Sequence, residues 1–130
     1  MYHTSGRAPK VAGNTILHAV NNYWEENSGH AFEIDEGGMV IAEGNIFALV
    51  AAPVEEGYAG QLFSSPTAED NAVCEAAMGR ACEVNSLVES GAFDGLTSDF
   101  LVNLEGKTVA NADPVGVVEA VKTSAGFGLI

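Results

Sequence analysis

The chain has 130 residues, of which 47% are hydrophobic and 18% are charged, a composition that suits one folded domain and excludes wholesale disorder. Its 18 acidic and 5 basic residues give a net charge of −13 at pH 7. Such a surface repels phosphate backbones, so nucleic acid is excluded as a partner. Neither a long apolar run nor a signal-peptide pattern is found, which predicts a protein that is intracellular or carried on a particle, without a membrane partner.

The beginning of the chain, residues 1–24, differs in charge from the rest. It contains Arg7 and Lys10 and no acidic residue, whereas all the acidic residues follow it. Glycine and proline are also frequent there, which predicts an N-terminal arm over residues 1–13 ahead of a single domain over residues 14–130. The arm is expected to bind an acidic partner surface. The alternative is a disordered terminus with two incidental cations.

Three segments in the first half predict strands. Residues 15–24 fit helical and extended spacing, with a small preference for extended structure, and Trp24 is expected in the core. Residues 30–35 alternate between apolar and acidic side chains, as a half-exposed strand does. Residues 39–52 predict a hairpin whose turn is Glu43-Gly44 and whose second arm is central in a sheet.

One helix is predicted after residue 63. Ser64-Ser65 provides an N-cap, Pro66 suits the first helical position, and acidic residues occupy the first turn. Gly79 is expected to end the helix.

The two cysteines, Cys74 and Cys82, are eight residues apart and form neither a zinc-binding nor a thioredoxin-type pair. On one straight helix they would lie about 12 Å apart, beyond the reach of a disulfide. They are therefore expected to be two buried thiols.

The C-terminal quarter predicts the centre of the fold. Residues 100–104 alternate as a strand, and the valine-rich run at residues 115–121 predicts a strand buried on both faces. Phe127, Leu129 and Ile130 keep the end of the chain apolar, which predicts that it is tied into a sheet or a subunit contact. The whole pattern predicts a β-rich α+β fold, a small β-barrel or sandwich with one short helix and an extended N-terminal arm.

An internal echo links the two halves of the chain. The Glu43-Gly44 turn and the strand after it resemble the Glu105-Gly106 turn and the valine run that follows. The echo indicates a duplication, or else the ordinary reuse of glycine at hairpin turns.

Motifs for chemistry are absent from the sequence. It contains no nucleophile elbow, no phosphate-binding loop and no histidine pair with metal-ligand spacing. The paired acids fall in turns or at a helix start, where solvated carboxylates are expected. The sequence therefore predicts no catalytic residue, no cofactor and no metal site. A ligand-binding or enzymatic barrel whose carboxylates are brought together by the fold is the alternative from a different class.

Two segments carry a resemblance to a known family. Residues 38–60 and residues 101–121 share a strand, glycine turn and strand order that resembles the small β-rich capsid decoration, or cement, proteins of tailed bacteriophages. This resemblance implies a non-enzymatic virion protein, assembled in the host cytoplasm, that binds the outside of an icosahedral capsid and bridges neighbouring major capsid subunits.

The resemblance also implies the contacts. A trimer that binds the major capsid protein is expected. Its capsid-binding arm would use Tyr2, Arg7, Lys10 and Val11, and its subunit contact Phe127, Leu129 and Ile130. A head-tail connector or tail subunit of a phage is the runner-up.

Overall fold

The computed structural model describes residues 1–128. Within that range the chain forms nine short strands, and every pairing between them is parallel. They are β1 (Lys10–Val11), β2 (Thr15–Val20), β3 (Tyr23–Glu25), β4 (His30–Ile34), β5 (Gly38–Glu43), β6 (Ile46–Ala48), β7 (Ala52–Val54), β8 (Gln61–Phe63) and β9 (Ser86–Val88).

The strands stack as successive coils. Each coil contributes one strand to each of three sheets, ordered β1-β4-β7, β2-β5-β8 and β3-β6-β9. The register between the first two coils is the same in all three sheets, so that Lys10 pairs with Glu33 and Trp24 with Phe47. Because each strand pairs with the equivalent strand of the next coil, the chain is a parallel β-helix.

Inward side chains of the coils form one aromatic core. Trp24 stacks on Phe47, and Phe32 stacks on Phe93 with ring centroids 5.8 Å apart. Aliphatic residues of the β1-β4-β7 and β2-β5-β8 sheets pack around these rings, including Val11 and Ile34 of neighbouring coils. Each short strand contributes its inward side chains to this shared core. The inner faces of the strands are therefore apolar.

Asparagine marks one corner of every coil, between the second and third sheets. Asn45 is fully buried, and its Oδ1 accepts the backbone N–H of Asn22 at 2.8 Å. In the next coil the Oδ1 of Asn85 accepts the backbone N–H of Asn45, also at 2.8 Å. The neighbouring Gly44 has a φ of +62°, which only glycine adopts freely at this crowded corner.

The third coil carries an insertion between β8 and β9. It contains helix α1 (Ala68–Asn71), capped by the Thr67 hydroxyl, and helix α2 (Cys74–Met78), which ends at Gly79 in the left-handed region. The turn at Gly79 brings Cys82 back to Cys74, and the two form a disulfide with Cα atoms 5.6 Å apart. This insertion packs over Ile41 and Phe63 as a second apolar cluster.

The segment after β9 consists, as far as residue 128, of loops and short helices. It has 3-10 helices at Asp99–Leu104 and Val115–Ala120, followed by helix α3 (Val121–Ser124). Val118 of this segment is buried against Tyr23 and Ile46 of the β3-β6-β9 sheet. Within residues 1–128 none of the helices has both the length and the apolar character needed to cross a membrane.

The predicted fold class is wrong in its architecture. The described chain is neither a barrel nor a sandwich, because its coils stack on one another and each of the three parallel sheets takes one strand from every coil. The predicted hairpin at residues 39–52 is instead a corner, since β5 and β6 belong to different sheets. The extended N-terminal arm is also wrong, since β1 pairs with β4 and Val11 lies in the core. That residues 14–130 form a single domain stays a prediction.

Two further predictions about local structure are wrong. The valine run at residues 115–121 is helical instead of a central strand: it forms the 3-10 helix Val115–Ala120 and the first residue of α3, and Val117 is 56% exposed. The two cysteines are bonded, because the helix that carries Cys74 ends at Met78 and the chain reverses.

Candidate functional site

A cluster of charged side chains lies on the outer face of the β1-β4-β7 sheet. Strand alternation places Val11 and Ile34 in the core and therefore turns their neighbours Lys10 and Glu33 outward. Arg7 precedes β1, and His30 begins β4. The coil register thus brings together residues that are far apart in the sequence.

Glu33 is the centre of this cluster. Its Oε1 accepts a hydrogen bond from Lys10 Nζ at 2.8 Å, and its Oε2 accepts from Arg7 Nε at 3.1 Å. His30 Nε2 lies 2.9 Å from Oε2 and must be the donor, because an ionised carboxylate can only accept. These hydrogen bonds, that of Lys10 first and that of His30 next, hold the pKa of Glu33 at about 2, so the carboxylate is ionised at neutral pH.

Lys10 is held by two carboxylates. Its Nζ donates to Glu33 and also lies 2.8 Å from Oδ2 of Asp35, which follows the last residue of β4. The hydrogen bonds to Asp35 and Glu33 raise the pKa of Lys10, which keeps the ammonium group protonated. Lys10 is therefore a fixed positive charge on this face.

Arg7 is held in a different way. Its side chain is 70% exposed, and its contact with Glu33 uses Nε. Among residues 1–128 neither terminal Nη group of Arg7 makes a hydrogen bond, so both remain available to a ligand. The backbone of Arg7 has a φ of +52°, a conformation that is uncommon outside glycine and is often found at functional sites.

The backbone around Arg7 is fixed by the neighbouring coil. Ala8 donates its N–H to the carbonyl of Ala31 at 2.8 Å, and its own carbonyl accepts the buried indole N–H of Trp24 at 2.7 Å. Glu33 donates its N–H to the carbonyl of Pro9 at 2.9 Å. The residues that follow Arg7 are therefore tied to the core, while its guanidinium group reaches solvent.

His30, Glu33 and Glu55 could in principle hold a metal ion, since one ligand atom from each lies within 4.8 Å of the others. However, Glu33 already accepts from Lys10 and Arg7, and Oε1 of Glu55 accepts the backbone N–H of Ile34 at 3.0 Å. Two protein cations therefore compete with any metal for the central carboxylate.

A second ionic cluster lies beneath the insertion. Glu43 is fully buried, and its carboxylate accepts two hydrogen bonds from Arg80, one from His18 and one from the backbone N–H of Glu83. Burial alone would raise the pKa of Glu43, but the hydrogen bonds from His18 and Arg80 hold it at about 2. Because the Glu43 carboxylate is enclosed by its own protein donors, we assign this cluster to the anchoring of the insertion.

The residues predicted as contacts are scattered in the structure. Arg7 and Lys10 meet at Glu33, whereas Val11 lies in the core and Tyr2 exposes a ring that stacks on His3. Phe127 is fully exposed, and its role in a subunit contact stays a prediction. Leu129 and Ile130 lie outside the described residues.

The sequence reasoning missed Glu33 and His30. Both were assigned to a half-exposed strand, although the sequence contains a signal that could have placed them beside Arg7 and Lys10. Residues 15–24 align with residues 38–47 without a gap, with Asn22 and Trp24 matching Asn45 and Phe47. The spacing of this repeat is 23 residues (38 − 15), and a repeat of this length indicates a solenoid. The same spacing applied to Lys10 places it opposite Glu33.

The stacked coils, with parallel pairing between equivalent strands, place the chain in the class of the parallel β-helix proteins. A sequence model of the pectate lyase family matches residues 2–112, and the chain belongs to that family.

Curated fungal proteins are similar over nearly the whole chain. The chain is 50% identical to pectin lyase B and 52% identical to pectin lyase A of Emericella nidulans, over 98% and 97% of its length. It is 51% identical to probable pectin lyase A of Aspergillus fumigatus over 98% of its length. In each case the match covers 34% of the relative, so the chain spans about a third of the length of these proteins.

The family membership overturns the resemblance to phage decoration proteins. A non-enzymatic capsid-bridging function, a major capsid protein partner, a trimer on the shell and a virion location are therefore wrong, as is the phage connector or tail alternative. The enzymatic barrel is not matched either, because the sheets do not close into a barrel. The order of strand, glycine turn and strand was misleading, because glycine turns separate short apolar strands in a β-helix as they do in other β-rich folds.

Proposed function

We propose that this chain acts in the cleavage of pectin by β-elimination and that Arg7 and Lys10 form part of its substrate site. The family and the pectin lyases to which the chain is similar support the class of reaction. The observation that carries the site is the exposed guanidinium group of Arg7. Among the residues that the structure describes it is bound through Nε alone, and it lies beside a fixed ammonium group on the outer face of one sheet.

The chemistry of elimination requires positive charge at such a site. Pectin is a chain of galacturonyl units, many of which are methyl esters. When a base removes the proton from the carbon next to the ester carbonyl, the electron pair forms a double bond to the adjacent ring carbon. The bond from that carbon to the glycosidic oxygen then breaks, and the leaving oxygen takes up a proton. Negative charge builds on the ester carbonyl oxygen during this step, and fixed cations stabilise it.

Arg7 fits the contact with the ester group. Its planar guanidinium group presents the two free Nη groups as a fork of donors, and Nε fixes the plane through Glu33. Lys10 adds a second positive charge close by but is held by Glu33 and Asp35. We assign Arg7 to direct contact with the substrate and Lys10 to the electrostatic field at the site.

The surroundings favour an esterified substrate over a free polyuronate. Glu33, Asp35 and Glu55 place three carboxylates on or beside β4 and β7, which share a sheet with β1. Negative charge at this density repels a chain with a carboxylate on every sugar, whereas a methyl ester is neutral.

Binding of a methyl-esterified oligogalacturonide to the chain tests the proposal. We expect NMR shift changes that map to Arg7, Lys10 and the residues between them. Arg7→Gln should weaken binding about tenfold or more, the effect of losing a hydrogen bond from a charged group. Lys107→Gln, which removes an exposed cation elsewhere, is the matched control and should leave binding unchanged.

Formation of the conjugated unsaturated product, followed by its ultraviolet absorbance, tests the catalytic part of the proposal. Shift changes confined to another face of the β-helix, or equal effects of Arg7→Gln and Lys107→Gln, would show that the site is elsewhere.

A further inference from the structure

We propose that Glu33 is a positioning residue, which holds Arg7 and Lys10 in the arrangement that receives the substrate. The inference rests on the proposed function, because it assigns the residue that makes that site competent. Glu33 does not reach the substrate itself, since its side chain is only 10% exposed and lies beneath the two cations.

The two oxygens of Glu33 divide the work between the cations. Oε1 takes Lys10, whereas Oε2 takes Arg7 through Nε and also His30. Arg7 is thus anchored by the one guanidinium nitrogen that leaves both Nη groups free. A carboxylate bound to the Nη groups would have occupied the fork that the proposed function assigns to the ester.

A carboxylate is needed at this position because both of its oxygens accept hydrogen bonds. Three donors, from Arg7, Lys10 and His30, converge on its two oxygens, and all three can be satisfied only when both oxygens accept. A glutamine at this position has one accepting oxygen and one donating NH₂ group. The NH₂ group would then lie against a donor of Arg7, Lys10 or His30, with which it cannot form a hydrogen bond. The two neighbouring cations would also lose the negative charge between them and repel one another.

The other acidic residues of this face cannot replace Glu33. Within the described chain the carboxylate of Asp35 pairs with Lys10 and not with Arg7, and its side chain is 46% exposed. Oε1 of Glu55 accepts a backbone N–H from Ile34. Within residues 1–128, Glu33 is the one carboxylate that joins Arg7 to Lys10, so its removal should disturb both cations at once.

Solvent exchange of the Arg7 Nε proton in the unaltered chain is the first test. A proton held by a carboxylate exchanges slowly, and we expect its NMR resonance to be resolved at neutral pH. In Glu33→Gln the resonance should broaden into solvent exchange, while in Glu36→Gln, which removes an exposed acid with no side-chain partner in the described residues, it should be unchanged. Exchange of the Arg7 proton at the rate of a free guanidinium group in the unaltered chain overturns the proposal, whether or not the variant folds.

Affinity for a methyl-esterified oligogalacturonide is the second test. Glu33→Gln should weaken binding about tenfold, close to the effect of Arg7→Gln, and combining the two changes should add little because they act on one contact. Glu33→Asp, which keeps the charge, should recover part of the loss. Full affinity in a folded Glu33→Gln chain overturns the proposal.

The two proposals fail in different ways. If the unaltered chain binds no oligogalacturonide, the proposed function fails, while slow exchange of the Arg7 proton still shows that Glu33 holds it. If the chain binds through Arg7 and the proton exchanges freely, the substrate site stands and the positioning role of Glu33 is wrong.

Discussion

The indole ring of Trp24 lies flat on the ring of Phe47, with centroids 4.8 Å apart and planes inclined by 8°. The two residues occupy equivalent positions of successive coils, and they pair in register between β3 and β6. Since both rings are buried, this aromatic contact packs the first coil against the second. The stack is therefore the clearest physical link between the sequence period and the stability of the β-helix.

Trp24→Ala should lower the free energy of unfolding by about 3–5 kcal/mol, the range for removing a large aromatic side chain from a core. The change also removes the indole hydrogen bond to Ala8, which lies next to Arg7. Urea denaturation measures the loss. Val117→Ala, at a site that is 56% exposed, should stay within about 0.5 kcal/mol of the unaltered chain. A similar small effect at Trp24 would contradict the stacked core.

Asn45→Ala should destabilise the corner between the second and third sheets. The change leaves the N–H of Asn22 and the carbonyl of Ala19 without the hydrogen bonds that the buried amide provides. Each unsatisfied group costs about 1–3 kcal/mol, so a loss of about 2 kcal/mol or more is expected. Amide exchange at Asn22 should accelerate in parallel. Asn103→Ala, at an exposed position, provides the comparison, and equal losses in the two variants would rule out a special role for the corner.

The sequence predicts the local elements of this fold better than their arrangement. Residues 30–35 were predicted as a strand from their alternation, and β4 occupies His30–Ile34. The pairing of the strands was missed because a parallel β-helix joins each strand to its equivalent in the next coil, and no local pattern marks that partner. The β-branched run at residues 115–121 suggested a strand, yet only Val118 is buried there, and the sheets of the described chain end without it.

Only part of the candidate site could be predicted from the sequence. The charge asymmetry between residues 1–24 and the rest of the chain singled out Arg7 and Lys10, although for the wrong partner. Glu33 could not be recognised in the same way, because its role depends on the register that places it opposite Lys10. A site assembled between coils becomes readable only after the coil period is known.

Reduction of the Cys74–Cys82 disulfide should weaken the insertion more than the coils. The bond closes a short loop that carries Arg80, the partner of buried Glu43. For a loop of this size the chain-entropy effect is about 2.5 kcal/mol. Hydrogen exchange with and without a reductant should show faster exchange in residues 64–85 and smaller changes in β2 and β5. Uniform acceleration across the whole chain would indicate that the insertion and the coils unfold as one unit.

Acid should destabilise the chain through Glu33 and Glu43. Both have a pKa of about 2 in the folded chain against an ordinary value of 4.5, because the cations and N–H groups around them favour the charged form. A lowered pKa contributes stability that is complete above the unfolded value. The free energy of unfolding should therefore fall as the pH drops from about 4.5 towards 2. Denaturation at a series of pH values measures this slope.

Glu43→Gln separates the buried cluster from the general effect of acid. The variant should lose about 3–5 kcal/mol at neutral pH, because Arg80 would keep its charge beside a neutral partner. Its free energy of unfolding should also fall less steeply below pH 4.5, since one of the two carboxylates with a lowered pKa is gone. Glu119→Gln, which removes an exposed carboxylate elsewhere on the chain, should keep the slope of the unaltered chain. An unchanged slope in Glu43→Gln would mean that the buried ion cluster does not govern the acid response.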